Sequence, residues 1–296
     1  MSAENLTGLK IAVIGGDMRD VIMAQALASL GASIWLYGFS SYKLPGVQLQ
    51  TGLPQQSDVI IMPLPGISAD GTVYAAYSPE KIDVHDLEAI YENGVLLLCG
   101  RASAEYEDYF AQFGCQVIWT AELDEIAILN AVPTAEGAIE AAMRASMITI
   151  SGSQTLVTGF GRCAQPLAKA LRGLEAEVTV VARRRDVLAQ ARVCGYKALA
   201  LTELVDHAGQ YHFIFNTVPE MIITSDVLNK MQREAIIIDI ASAPGGTDFD
   251  AAASLGIKSL LLSGLPGKVA PVSSGQILAQ VYPYLIRLHK KGGTQK

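Results

Sequence analysis

Two glycines separated by a single residue, Gly159 and Gly161, stand directly behind the apolar, β-branched run Thr155-Leu-Val-Thr158, and a third small residue, Ala164, follows three positions later. In a strand–turn–helix context each has a separate task. The first glycine lets the backbone turn sharply out of a strand, the second lets a ligand approach the backbone, and the third small residue lets the helix close onto the sheet. Such a turn brings a pyrophosphate to a helix N-terminus, where N–H groups and the helix dipole favour negative charge. The context here agrees. A helix fits residues 162–174, and a second apolar run, Glu177-Val-Thr-Val-Val-Ala182, follows at βαβ spacing. The pattern predicts a dinucleotide-binding domain with Gly159, Gly161, Arg162 and Ala164 at the pyrophosphate.

The end of that second run selects the nucleotide. NAD-binding domains place an Asp or Glu about 20 residues beyond the glycines, on the ribose hydroxyl. This chain has Arg183, Arg184 and Arg185 there, and its first acid is Asp186. A carboxylate repels a 2′-phosphate, whereas a guanidinium grips it with two hydrogen bonds. NADP is therefore the expected cofactor, with Arg183 and Arg184 at its 2′-phosphate. Open α/β sheets bind ligands beyond the C-terminal ends of their strands. By that rule Thr217, Val218 and Pro219 lie along the cofactor, and Ala241 and Ser242 lie near the nicotinamide.

A chain of 296 residues, half of them hydrophobic and 17% charged, suits two well-buried domains. Two α/β patterns follow one another. The first has strands at 9–14, 33–37, 58–62, 95–99 and 116–119, and helices at 19–30, 83–91 and 104–113. The second has strands at 155–158, 177–182, 212–216, 235–240 and 258–262. The strands read as continuous apolar runs, as they do when helices cover both faces of a parallel sheet. The expected fold is α/β, with two Rossmann-like doubly wound parallel-sheet domains, an interdomain cleft and two crossing helices. Residues 1–130 with the C-terminal helix 274–296 form one domain, and 131–273 the NADP-binding domain. Thr134 reads as the N-cap of the first crossing helix, Glu136 as part of its first turn, and 138–148 as its body. Pro283 interrupts the second crossing helix, and the tail from Lys290 to Lys296 is expected to fray.

Other functions are disfavoured. A net charge of −7 argues against nonspecific nucleic-acid binding. Cys99, Cys115, Cys163 and Cys194 are scattered, with no CxxC and no Cys/His cluster, so neither disulfides nor a metal site are expected. The N-terminus has no signal-peptide pattern and no apolar run is long enough to span a membrane, so a cytoplasmic protein is expected. No Ser-His-Asp or Cys-His arrangement is visible. Gly15-Gly16 resembles a phosphate turn but lacks the third small residue, so a second dinucleotide site is not expected. Arg19, Arg101 and Lys268 stand at strand ends as candidate partners for a carboxylated substrate, and Thr134, Glu136 and Lys268 are the candidates for catalysis.

These stretches carry a family resemblance over essentially the whole chain. Leu9-Lys-Ile-Ala-Val-Ile-Gly-Gly-Asp17 with Arg19, Pro133-Thr-Ala-Glu-Gly137, Gly159-Phe-Gly-Arg162, Asn216-Thr-Val-Pro219, Asp239-Ile-Ala-Ser-Ala-Pro-Gly-Gly246 and Gly264-Leu-Pro-Gly-Lys-Val-Ala-Pro271 resemble the A subunits of bacterial dipicolinate synthase. More loosely, the second domain is similar to the cofactor domain of alanine and 2-hydroxyacid dehydrogenases. The resemblance implies an NADP-dependent oxidoreductase acting on a CH–CH group. Its substrate would be dihydrodipicolinate or the hydroxy-tetrahydro precursor, a small dicarboxylate, and its product pyridine-2,6-dicarboxylate. It also implies the mother cell of a sporulating bacterium and a partner in the flavoprotein-like B subunit of that synthase; a homo-oligomer is expected as well. No family catalytic residue is carried over. Two alternatives stay open: another two-domain NAD(P)-dependent amino- or hydroxy-acid dehydrogenase, and a noncatalytic NADP-binding regulatory subunit. The first lacks its usual His-plus-carboxylate pair here.

Overall fold

The structure, a computed structural model, describes residues 5–42 and 50–292, so residues 293–296 of the tail expected to fray lie outside the described part. The chain divides into two compact units, one of residues 1–129 with 270–296 and the other of residues 130–269.

In the first unit β1 (Lys10–Ile14), β2 (Ser33–Tyr37), β3 (Gln50–Thr51) and β4 (Val59–Ile61) form one parallel sheet with β7 (Leu96–Cys99) and β8 (Gln116–Trp119). Between β4 and β7 lies a small antiparallel ribbon of β5 (Thr72–Val73) and β6 (Ile82–Asp83). The sheet order is β3-β2-β1-β4-β7-β8. Successive residues point to opposite faces, and both faces are covered. Ile11, Val13, Ile34 and Leu36 join one apolar cluster, while Ala12, Ile14, Ile60 and Leu97 join another. This two-sided burial is why the strands read as unbroken apolar runs. Helix α1 (Met18–Ser29) packs on the first face, and α2 (Glu105–Gln112) brings Tyr106 and Phe110 to the second. The stretch after β6 is a 3-10 helix, Val84–Ile90, rather than the α-helix expected there.

Helix α3 (Asp124–Ala145) follows β8, and the boundary between the units falls inside it. The second unit then repeats the pattern with β9 (Gln154–Thr158), α4 (Ala164–Gly173), β10 (Glu177–Ala182), α5 (Arg185–Val193), β11 (Lys197–Ala200), α6 (Leu204–His207), β12 (Phe213–Asn216), α7 (Ser225–Leu228), β13 (Ile236–Asp239), α8 (Phe249–Ser254), β14 (Lys258–Leu261) and α9 (Leu265–Val269). Its sheet order is β11-β10-β9-β12-β13-β14, every pairing parallel. Val157, Phe213, Phe215 and Ile238 pack with α3 and α4 on one face, and Leu156, Ile214 and Ile237 pack with α6 and α7 on the other. Counted within each sheet, both orders are 3-2-1-4-5-6, the doubly wound arrangement, so the strand order reverses between β1 and β4 and between β9 and β12.

Helix α10 (Pro271–Gly292) closes the first unit and runs on through Pro283. It is tied to that unit by Tyr282, whose buried hydroxyl donates to Thr120 Oγ1 at 3.2 Å, and by Lys290, which pairs with Asp58 at 2.8 Å. Among the described residues no helix is long and apolar enough to cross a membrane.

Candidate functional site

The β9–α4 turn lies at the reversal point of the second sheet. Gly159 takes φ +76°, a conformation that strongly favours glycine, and its N–H donates to Val181 O at 2.8 Å, docking the turn on β10. A Cβ on Gly161 would meet no atom within 4 Å, so the backbone there faces open space. Ala164 is fully buried among Val157, Leu167 and Ala168 at the α4–sheet contact. Gln165 Nε2 donates back to Phe160 O at 2.9 Å and braces the turn. The N-terminus of α4 has no side-chain cap and no acid in its first turn. A helix start so arranged offers its N–H groups to an external anion. Arg162 is exposed beside it, and burial pushes the neighbouring Cys163 thiol up.

A cavity of about 390 Å³ runs from this turn to the end of β10. Gly159, Gly161, Arg183, Arg184 and Val218 line it, with Val187, Gln190 and Leu201. The two arginines are largely exposed and each meets a carboxylate. Arg183 Nη1 lies 3.4 Å from Glu220 Oε2, and Arg184 pairs with Asp186 through both Nε and Nη2.

The far side of the turn is a fixed polar floor. Fully buried Asn216 accepts from the Thr158 hydroxyl and from Val218 N at 3.2 Å, and its Nδ2 donates to Val218 O at 2.9 Å. Thr217 N donates to Thr158 Oγ1 at 3.0 Å, and the Thr217 hydroxyl donates to Thr158 O at 2.6 Å. Thr217, expected along the cofactor, thus spends its hydroxyl on the neighbouring strand; Val218 lines the cavity and Pro219 is exposed. At the end of β13, buried Asp239 gathers the next loop. Its carboxylate accepts from Ala241 N at 3.0 Å, Gly246 N at 2.8 Å and Thr247 Oγ1 at 2.7 Å. In that loop Ala241 is buried and Ser242 exposed.

Several expectations change. Thr134 does not cap a helix: α3 begins ten residues earlier, at Asp124, and runs on through Pro133. Proline cannot donate to the carbonyl four residues back. One position on, the Thr134 hydroxyl donates to Asn130 O at 2.7 Å. Glu136 is therefore mid-helix, not in a first turn, and is exposed on a surface groove with Ala170, Gly173 and Leu174 at the far end of α4. Arg19 is not an available cation. It is buried, with Nε on Asp17 Oδ1 at 2.9 Å and Nη2 on Asp17 Oδ2 at 2.8 Å. Its pKa is raised: burial opposes the charge, but hydrogen bonding to and attraction by Asp17 outweigh it. Arg101 and Lys268 are exposed.

The same corner of the first sheet is filled from within. Gly16 N donates to Tyr74 O at 2.7 Å, and Ala76 N donates to Gly16 O at 2.9 Å. A Cβ on Gly15 would come within 2.6 Å of Tyr74 O, and one on Gly16 within 2.1 Å of Asp20 Oδ2. The start of α1 carries a capping box in which Asp17 accepts from Arg19 N and Asp20 accepts from Asp17 N, both at 2.9 Å. Burial pushes the Asp20 carboxyl up to about 7. Where the second sheet presents an uncapped helix to solvent, the first presents two carboxylates of its own.

Four cavity residues, Leu201, Val187, Gln190 and Glu220, escaped the sequence reading. Leu201 follows the short strand β11, which the alternating run after Gly195 could have disclosed. Val187 and Gln190 lie one helical turn apart on α5. Glu220 has no local signal at all, since it reaches Arg183 across 37 residues of sequence.

Residues 10–121 match the family model of the N-terminal domain of the dipicolinate synthase A subunit, and residues 130–259 match the one described as S-adenosyl-L-homocysteine hydrolase, NAD binding domain. The chain is 38% identical over 295 residues to the dipicolinate synthase A subunit of Bacillus subtilis (strain 168), covering 95% of this chain and 97% of that protein. It superposes on the crystal structure of the dipicolinate synthase A subunit from Bacillus halodurans with a TM-score of 0.89 at 33% identity, covering 95% of this chain and 99% of that one. An L-alanine dehydrogenase structure shares the fold, with a TM-score of 0.64 at 13% identity over 96% of this chain and 91% of that one.

Proposed function

The chain belongs to the family of dipicolinate synthase A subunits, and from that premise we propose that it is an NADP-dependent dehydrogenase subunit forming dipicolinate from dihydrodipicolinate or its hydroxy-tetrahydro precursor. The observation that carries the cofactor part is the glycine turn, with open space over Gly161 at an uncapped helix start, continuous with a cavity lined by two arginines.

The residues fit a dinucleotide on grounds of shape and charge. Gly159, Gly161, Arg162 and the α4 N-terminus would take the pyrophosphate, with Ala164 seating the helix beneath it. Arg183 and Arg184 stand where β10 ends and would take the 2′-phosphate, which favours NADP over NAD. The Asn216–Thr158–Thr217 network keeps the floor rigid and needs no rearrangement to receive a ligand. A bound nicotinamide would supply the hydride acceptor for aromatising the dihydrodipicolinate ring, with one proton released, and the hydroxy-tetrahydro precursor would first have to lose water. Burial of the substrate's two carboxylates calls for cations. Arg101 and Lys268 are the remaining candidates, since Arg19 is committed to Asp17. Lys268 is also the remaining candidate for moving the proton. On this reading the protein works with a B subunit in the mother-cell cytoplasm of a spore-forming bacterium.

The test is absorbance of reduced nicotinamide on mixing the purified chain, NADP and freshly generated dihydrodipicolinate, with and without the B subunit. Signal without the partner is expected of a self-sufficient dehydrogenase, and signal only with it of a shared enzyme. Bound NADP with no turnover in either mixture would refute the dipicolinate-forming assignment and leave a regulatory subunit or a dehydrogenase for another substrate.

A further inference from the structure

The ribose end of the cavity holds two carboxylates as well as two guanidiniums. Arg183 leaves the end of β10 and Glu220 lies beyond the end of β12, so the two come from opposite sides of β9 and its Gly159 turn. Neighbouring strands are about 4.8 Å apart, which sets these two strand ends roughly 10 Å apart. The side chains close that distance and meet at 3.4 Å, so the ion pair crosses over the turn. Asp186 differs. It sits two residues from Arg184 in the first turn of α5 and holds the guanidinium through Nε and Nη2.

We infer that Glu220 is a specificity-determining residue that holds Arg183 in place of a 2′-phosphate and so limits the preference for NADP over NAD. This rests on the reading that the cavity takes the adenosine half of a nicotinamide dinucleotide. The Arg183–Glu220 pair is weak enough to be exchanged: Arg183 is 73% exposed and Glu220 65%, and pairs of that kind contribute little. A phosphate dianion with three acceptor oxygens is the stronger partner for a guanidinium. Once displaced, the Glu220 carboxylate still borders the same cavity and repels the phosphate that displaced it. NAD offers a 2′-hydroxyl in that position, a donor that a carboxylate accepts. One side chain thus opposes one cofactor and tolerates the other. No stretch near the arginines reveals it, because it arrives from a different strand.

The test measures dissociation constants for NADP and NAD by calorimetry on the full chain, for the wild type, Glu220→Gln, Arg183→Ala and the double variant. Glutamine keeps the shape of an exposed side chain, and unchanged thermal unfolding without ligand checks that the fold is intact. In Glu220→Gln, NADP should bind about three- to tenfold more tightly, while NAD holds its affinity or loses some. In the Arg183→Ala background the same substitution should give less gain for NADP, because the competition it relieves is gone. Equal shifts for both cofactors, no shift for NADP, or an undiminished gain without Arg183 would overturn the inference. If the wild type binds neither cofactor, the cofactor site itself is wrong, and that result appears before any variant is made.

Discussion

Gly161 and Gly159 are separated by one residue, and alanine at each should have opposite consequences. Gly161 lies outside the left-handed region, and its Cβ would meet nothing within 4 Å. Alanine there narrows the unfolded ensemble without strain, which stabilises by about 0.4–1 kcal/mol. The same methyl stands where the backbone must approach a pyrophosphate, so dinucleotide affinity should fall about 10- to 100-fold, on the order of 1.4–2.8 kcal/mol. Gly159 is the reverse case. At φ +76°, with Val218 Cγ2 at 3.0 Å from its would-be Cβ, alanine costs about 1–2 kcal/mol of stability before any ligand is added. Thermal unfolding with and without cofactor separates the two effects. At a cofactor concentration of 100 times its Kd the wild type gains about 2.7 kcal/mol, whereas Gly161→Ala at the same concentration gains only about 0.4–1.4 kcal/mol. Gly161→Ala should therefore unfold at or above the wild-type temperature alone and below it with cofactor. A variant that keeps the full ligand-induced shift, or that is as unstable as Gly159→Ala, would refute the placement of the pyrophosphate.

Replacing Arg183 and Arg184 together by alanine should weaken NADP about 10- to 100-fold and NAD by less than about threefold; equal losses would sink the 2′-phosphate assignment. Asp239→Ala strands two backbone N–H groups and a hydroxyl in a buried loop and should cost about 3–5 kcal/mol by denaturant unfolding. A loss below about 1 kcal/mol would show that the carboxylate does not hold the loop. The Asp20 carboxyl, raised from 3.8 to about 7 mainly by burial, keeps its proton in the folded state where the unfolded chain has released it. Between those two values the folded state binds more protons, so stability should fall as pH rises from about 4 to about 7, by on the order of 4 kcal/mol, and level off above. Asp20→Asn should flatten that slope, and an unchanged profile would rule Asp20 out as its source.

The second sheet was legible because its signals are local. A strand, a glycine turn and a helix occupy consecutive residues, and two-sided burial leaves continuous apolar runs that mark β9, β10, β12 and β13. Thr134 misled for an equally local reason. Pro133 followed by threonine and Glu136 has the composition of a helix start, and only the packing of Ala135, Ala138 and Ala142 into the core shows that the helix is already under way. Gly15-Gly16 shows the opposite limit. The sequence marks a tight turn, but what the turn admits, the chain at 74–76, is decided some 60 residues away. Arg19 looked like an available cation because nothing in its own helix says that Asp17 bends back to take its Nε and Nη2. Charges are easy to locate in a sequence, and their partners are not.

The carboxylates at the head of α1 also bear on redesign. A designer grafting a second nucleotide pocket onto the first sheet would start from its glycine pair and its familiar strand order. Neutralising Asp20 would remove one obstacle and leave the main chain of Tyr74 still bonded to Gly16. The whole insert between β4 and β7 would have to be cut away, taking Val73 and Ile82 out of the core with it. The first unit is better regarded as a scaffold whose doorway is bricked up than as one awaiting a guest. Photoreactive dinucleotide analogues should accordingly leave their marks within 130–269 alone.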